Sequence, residues 1–382
     1  MPFDKASDEF LQETGPLAID AAAACAGLEP PPDGFERIWA AFDPLEVMQK
    51  RGQVFRPAAD EAWQLLCDEG PGLGGTDWAP PPLAWFAAGM ACSVAGAVAE
   101  KAAAQGIPAS ALSVDMTNHY SLSGSILQGT MEGTGLNPDV AVSIRDLPKR
   151  AVSALALEAV SGSLAGYLMR SAFISEFSLV SHGAPVPLDP PGCGLAVGID
   201  VLPAAPLSAV GTSCIVKSGL RPDDPTFVQT GGSGLDAVQN RRNRVSATAR
   251  VTADGAIVGE TGIARPKAGV FAWRGSSDAG SPTAPSSAVL LAAGIGFCFM
   301  TQLGRYAAAM KRPVHDYRMI QAIDIPLPGA APEAAPVIGT VLYLNPDEPD
   351  PEYARDVMHS AKRTCFLHST LQSELRCRVT AA

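Results

Sequence analysis

Phe86-Ala87-Ala88-Gly89-Met90-Ala91-Cys92-Ser93 and Leu291-Ala292-Ala293-Gly294-Ile295-Gly296-Phe297-Cys298 are two versions of one apolar pattern, and what surrounds them decides the fold. Ala79-Pro80 stands to Ala284-Pro285 as Ala87-Ala88-Gly89 does to Ala292-Ala293-Gly294. The same spacing of 205 residues carries Ala102-Ala103-Ala104 and the later Pro108 onto Ala307-Ala308-Ala309 and Pro313. A second block pairs Ser171-Ala172-Phe173-Ile174-Ser175-Glu176-Phe177 with Ser369-Thr370-Leu371-Gln372-Ser373-Glu374-Leu375 at a spacing of 198. Four matches in one order predict an internal duplication, with one loop insertion in the first copy.

Local signals give each copy its elements. Pro80 to Pro82, and Ser286-Ser287 in the second copy, suit a helix start, where proline loses no needed hydrogen bond and serine caps orphan amides. Gly106 with Pro108, and Pro313, end the helices, because proline has no donor and clashes with the preceding turn. A helix of about 24 residues is roughly 36 Å long. Beyond each helix, Ser113 to Thr117 and Ile320 to Ile325 alternate as half-buried strands, followed by a second helix and a final strand. The reading is α+β, with residues 1–50 as a helical arm around Leu17 to Cys25, 51–183 as the first domain and 233–382 as the second. Residues 184–232, rich in Pro and Gly, form a linker with an extra strand at Ser213 to Lys217, and Gly231-Gly232-Ser233-Gly234 reads as flexible.

Composition excludes several classes. With 382 residues and 47% hydrophobic side chains the chain can bury a large core. Its 39 acidic against 28 basic residues give a net charge of −11, which repels phosphate backbones and anionic lipid heads, so no nucleic-acid or membrane partner is expected. Arg241-Arg242-Asn243-Arg244 is too short a basic run to reverse this and reads as a solvated face. The N-terminus carries acid where a signal peptide needs positive charge, so a cytoplasmic location is expected. Ala79 to Ala99 and Ser286 to Gly304 are free of charge and near spanning length, yet rich in Ala and Gly, and are expected as buried helices. The eight cysteines and five histidines are dispersed with no Cys-x-x-Cys pair, so neither a metal nor another cofactor is expected.

The two apolar motifs, ending at Ser93 and Cys298, resemble part of the central helix of the osmotically inducible protein C and organic hydroperoxide resistance superfamily, in which a reactive cysteine closes the motif. Gly74-Gly75-Thr76-Asp77-Trp78-Ala79-Pro80 resembles the family's approach to that helix, and Thr364 to Leu371 its second-cysteine helix. The resemblance implies sheets wrapped around long central helices, with two copies clasped as an intramolecular pseudo-dimer. It also implies thiol-based reduction of organic hydroperoxides: Cys298 attacks, Cys365 resolves, and an external dithiol reduces the disulfide. In the first copy the alignment sets Ser93 at the Cys298 position and Tyr167 at the Cys365 position, with Cys92 one residue away, so that half keeps no redox pair and is expected as a structural partner or pocket wall. The family's helix begins Pro-Glu, and its carboxylate orients an arginine over the thiolate. Here the pairs are Ser287-Ala288 and Pro82-Leu83, so the carboxylate is absent. Among Arg244, Arg250, Arg265 and Arg274, Arg250 is the expected arginine. His368, one turn beyond Cys365, stands as a proton partner.

The substrate expected is small and apolar. Two further readings stay open: a hydrolase or lyase working in the pocket between the copies without redox cycling, and a non-catalytic binder of small hydrophobic ligands. A homo-oligomer is compatible with all three.

Overall fold

The structure is a computed structural model that describes residues 6–189, 202, 209–224, 239–277, 281, 283–327, 329–330 and 332–382. The chain opens with α1 (Ser7–Leu11), β1 (Gly15–Pro16) and α2 (Ala21–Ala24). It then forms β2 (Phe35–Pro44), β3 (Lys50–Arg56), β4 (Glu61–Cys67) and the long α3 (Pro82–Ala103). Next come β5 (Leu112–Gly124), β6 (Glu132–Ile144), α4 (Lys149–Gly162), α5 (Leu164–Arg170) and β7 (Ile174–Ser181), with β8 (Ala184–Val186) folded back on β7. After β9 (Ile215–Leu220) the same order is met again: β10 (Gln239–Val251), β11 (Ile257–Ile263), β12 (Gly269–Gly275), the long α6 (Ser287–Ala309), β13 (Asp316–Pro326), β14 (Val337–Asn345), α7 (Pro351–Thr364), α8 (Phe366–Leu371) and β15 (Arg378–Ala381).

Strands from the two halves are interleaved. One sheet runs β1-β4-β3-β2-β13-β14-β7-β8 and the other β15-β6-β5-β10-β11-β12-β9. β2 pairs with β13 and β5 with β10, both antiparallel, while β14 with β7 and β6 with β15 are parallel. Two expected boundaries are thereby corrected. The helical arm does not extend to residue 50, because β2 starts at Phe35 and lies inside a sheet. Residues 51–183 and 233–382 are not separate units either, since each sheet needs strands from both to satisfy its backbone and bury its inner face. β9 covers the strand expected at Ser213 to Lys217, two residues late, and Gly231 to Gly234 lies outside the described residues.

The two long helices lie between the sheets, α3 against β10, β11 and β5, and α6 against β2 and β3. Their boundaries have the expected causes. α3 has Pro82 at its first position, and α6 has Ser286 as N-cap, its hydroxyl accepting from Val289 N at 3.4 Å. Both helices are long and apolar enough to cross a membrane by length and composition, yet 83% and 94% of their most apolar windows are buried inside the protein. Buried on nearly all sides, they show why neither has a polar face.

The Ala-Ala-Gly motif has a direct steric reason. A Cβ on Gly294 would stand 2.7 Å from the backbone N of Phe86, and one on Gly89 would stand 2.9 Å from the backbone N of Leu291. The helices therefore meet with each glycine against the other helix's backbone, which a side chain forbids. Gly294→Ala and Gly89→Ala are each expected to cost about 1–3 kcal/mol of stability by overpacking. Denaturant unfolding checks this, and unchanged midpoints in both variants would contradict the close crossing.

The expected pairing of residues 171–177 with 369–375 does not hold. Ser171 to Phe177 runs from the end of α5 into β7, whereas Ser369 to Leu375 spans the end of α8 and the turn beyond it. α4 and α7 each have 14 residues, and in both cases one residue separates them from the next helix: Ser163 before α5, Cys365 before α8. Ser163, not Tyr167, separates α4 from α5 as Cys365 separates α7 from α8. The shared Ser and Glu letters suggested a register that helix lengths and strand pairing overrule.

Candidate functional site

Cys298 lies in the buried middle of α6, and Cys365 is the N-cap of α8, at the sharp bend where α7 stops. The fold brings these two free thiols within hydrogen-bonding reach of each other. Cys298 Sγ also accepts the backbone N–H of Leu367, the second residue of α8. Cys365 Sγ is 3.2 Å from His368 Nδ1. Burial and the adjacent Cys365 sulfur push the Cys298 thiol well above its ordinary range. At Cys365 burial opposes ionisation too, but the hydrogen bond from Cys298 and the His368 ring outweigh it and hold this thiol well below the ordinary range. Ionisation within the pair is therefore favoured at Cys365 over Cys298.

A cavity of about 330 Å³ opens onto Cys298 and not onto Cys365. Its walls are mainly apolar and come from both halves: Leu73, Pro82, Leu83 and Leu122 from the first, Ile263 and Phe366 from the second. Arg265, Arg305 and Glu69 add charge. The first half's contribution depends on the loop between β4 and α3. Asp68 gathers that loop, its carboxylate accepting from Glu69 N at 2.8 Å, Thr76 N at 3.0 Å and Trp78 N at 3.1 Å. Gly75 must be glycine, because a Cβ there would stand 1.9 Å from the Glu69 carbonyl oxygen.

Glu69 was not found from sequence. The helix position expected to carry a carboxylate is empty of one, but this acid reaches the same cavity from the loop, and Thr301, one turn after Cys298, donates to it at 3.1 Å. Burial pushes its carboxyl above the usual range, while Lys50, Thr301 and Arg305 partly restore the charged form. The only sequence signal was Asp68-Glu69 standing immediately before the glycine-rich approach loop.

The other expected site residues divide. Arg250 is not over the thiol: it is exposed on β10, opposite Ser113, and lines a groove with Thr248 and Arg274 on the sheet face away from the helices. Strand alternation explains this, since Val245, Ala247 and Ala249 take the inner face and Arg250 must point outward. Of the four arginines considered, Arg265 reaches the cavity, and Arg305 of α6 joins it. Ser93 is buried and its hydroxyl accepts from Ala165 N at 3.0 Å, the same relation that Cys298 has to Leu367. Cys92 points away, its thiol donating to Ser276 O at 3.3 Å. Tyr167 is half-buried in α5 against Phe173, with ring centroids 6.4 Å apart, and is remote from the cysteine pair's cavity.

An α+β protein with interleaved sheets, a buried pair of helices and two thiols in contact beside a cavity is the class defined by these features. Residues 279–380, about a quarter of the chain, match the family model described as OsmC-like protein. No curated protein and no solved structure gives a significant match.

Proposed function

We propose that the protein is a thiol-dependent peroxidase of OsmC-like type, built from two tandem copies as an intramolecular pseudo-dimer, and that it reduces an apolar organic hydroperoxide. The observation that carries the chemistry is the Cys298–Cys365 contact with only Cys298 open to the cavity. The duplication is supported by the element order met twice, by the reciprocal Gly89 and Gly294 contacts, and by Ser93 and Ser163 standing where Cys298 and Cys365 stand. In this reading only the second copy reacts, and the first supplies the cavity wall.

The chemistry balances as follows. Cys298 passes its proton to the Cys365 thiolate, and the Cys298 thiolate attacks the terminal oxygen of the hydroperoxide. The S–O bond forms, the O–O bond breaks, and the alkoxide leaves with a proton from the Glu69 carboxylic acid. The Cys365 sulfur then attacks the sulfenic acid. An S–S bond replaces the S–O bond, and the departing hydroxide takes the Cys365 proton as water. An external dithiol reduces the disulfide by exchange.

Glu69 works as an acid only while protonated, so turnover should fall as pH rises through its raised pKa. Glu69→Gln is expected to lower kcat by about 10²-fold with little change in KM, and to remove that alkaline limb. Steady-state kinetics across pH checks this. The function itself is tested by hydroperoxide consumption in the presence of a dithiol: sustained turnover is expected, and none with any apolar hydroperoxide would overturn it. Turnover of an ester that survives loss of Cys298 would select a hydrolase instead.

A further inference from the structure

Behind the cysteine pair, on the side away from the cavity, His368 is buried to 1% exposure. Its Nδ1 faces Cys365 Sγ at 3.2 Å, and its Nε2 meets Gln321 Nε2 of β13 at 3.4 Å. Gln321 is fully buried and its amide also donates to Thr340 Oγ1 of β14 at 3.1 Å. If the Gln321 amide is the donor here, Nε2 is the acceptor and the ring proton sits on Nδ1, pointing at the sulfur. Phe177 of β7 and Phe299 of α6 pack on the ring with centroids 5.3 and 5.2 Å away, which fixes its orientation. The other groups around the pair are Cys298 and, through it, Glu69, with the Tyr120 hydroxyl of β5, held protonated by burial. Lys362 of α7 stands over the Phe177 ring, its Nζ 4.8 Å from the centroid. At the matching place in the first half, three residues after Ser163, the chain has Gly166: where the cysteine is lost, so is the imidazole.

We propose that His368, oriented by Gln321, is a positioning residue that keeps Cys365 as the resting thiolate, the base that receives the Cys298 proton. The inference rests on the cysteine-pair reading for its use, but not for its test. A buried thiolate survives only when a donor holds it, and the Nδ1–H is the donor that the cavity and solvent do not reach. Without it the pair would rest as two thiols, and Cys298 would have no base.

The test is a pH titration of thiolate ultraviolet absorbance on the reduced full-length chain, with alkylation of Cys365 followed by mass spectrometry. In the unmodified protein one thiolate should persist below the ordinary thiol range and be absent in Cys365→Ser. His368→Asn should move its titration up by about one pH unit or more. Gln321→Met, which keeps the ring but removes its partner, should move it in the same direction by less. Circular dichroism establishes that each variant is folded, and if His368→Asn is not, Gln321→Met alone decides. Titrations that overlay the unmodified protein would overturn the inference. A shifted titration with no disulfide after hydroperoxide would overturn the peroxidase reading and leave this inference standing. Disulfide formation with unshifted titrations would do the reverse.

Discussion

Cys298→Ser is expected to lower hydroperoxide turnover by roughly 10³-fold or more, the scale on which enzymes lose activity when a nucleophile is removed. A hydroxyl can take neither the sulfenic acid nor the disulfide step. The variant should still fold, because the protein already contains the arrangement: Ser93 accepts the Ala165 N–H at 3.0 Å in the setting where Cys298 accepts that of Leu367. Consumption of an apolar hydroperoxide with a dithiol present checks the loss, and thermal unfolding checks the fold. Cys365→Ser should behave differently, allowing one attack and trapping Cys298 as a sulfenic acid that a carbon nucleophile can label. Turnover unaffected by Cys298→Ser would remove the sulfur from the mechanism.

The largest stability effect is expected at the seam between the halves. Arg37 of β2 holds Asp324 of β13 in a two-pronged ion pair, Nε to Oδ1 at 2.7 Å and Nη2 to Oδ2 at 3.0 Å. The side chains are only 8% and 0% exposed. Arg37→Met leaves a carboxylate buried without its partner, which costs about 3–5 kcal/mol. Equilibrium unfolding in denaturant reads this directly. The double variant Arg37→Met, Asp324→Leu should recover most of the loss, because two apolar groups of similar size leave no charge behind. A single-variant loss well under about 1 kcal/mol is what a surface pair gives, and would contradict the burial of this seam.

Helices and their ends were legible in the sequence. Proline and serine at the starts, and proline after the ends, are local chemistry, and they fixed α3 and α6 closely. The Ala-Ala-Gly motif was visible as a repeat, but its cause was not: only the crossing, with Phe86 and Leu291 against the opposite glycines, explains it. Long-range facts were beyond reach. β2 carries no local mark that its partner is β13, hundreds of residues away, and from sequence alone it reads as part of an arm. Arg250 was misplaced because the choice among arginines depends on strand register, and one step along a strand reverses the face. Tyr167 was misaligned because residue letters at a helix end are a weaker constraint than helix length. Glu69 escaped notice because its chemistry arrives through a loop held by Asp68, from the half of the chain that does not carry the thiols.

The most direct measurement is peptide mapping of the full-length protein after one equivalent of an apolar organic hydroperoxide. The account predicts a Cys298–Cys365 cross-linked peptide, formed while Cys25, Cys67, Cys92 and Cys214 stay unmodified in the core. Both thiols recovered free, or Cys298 paired with any cysteine other than Cys365, would contradict it.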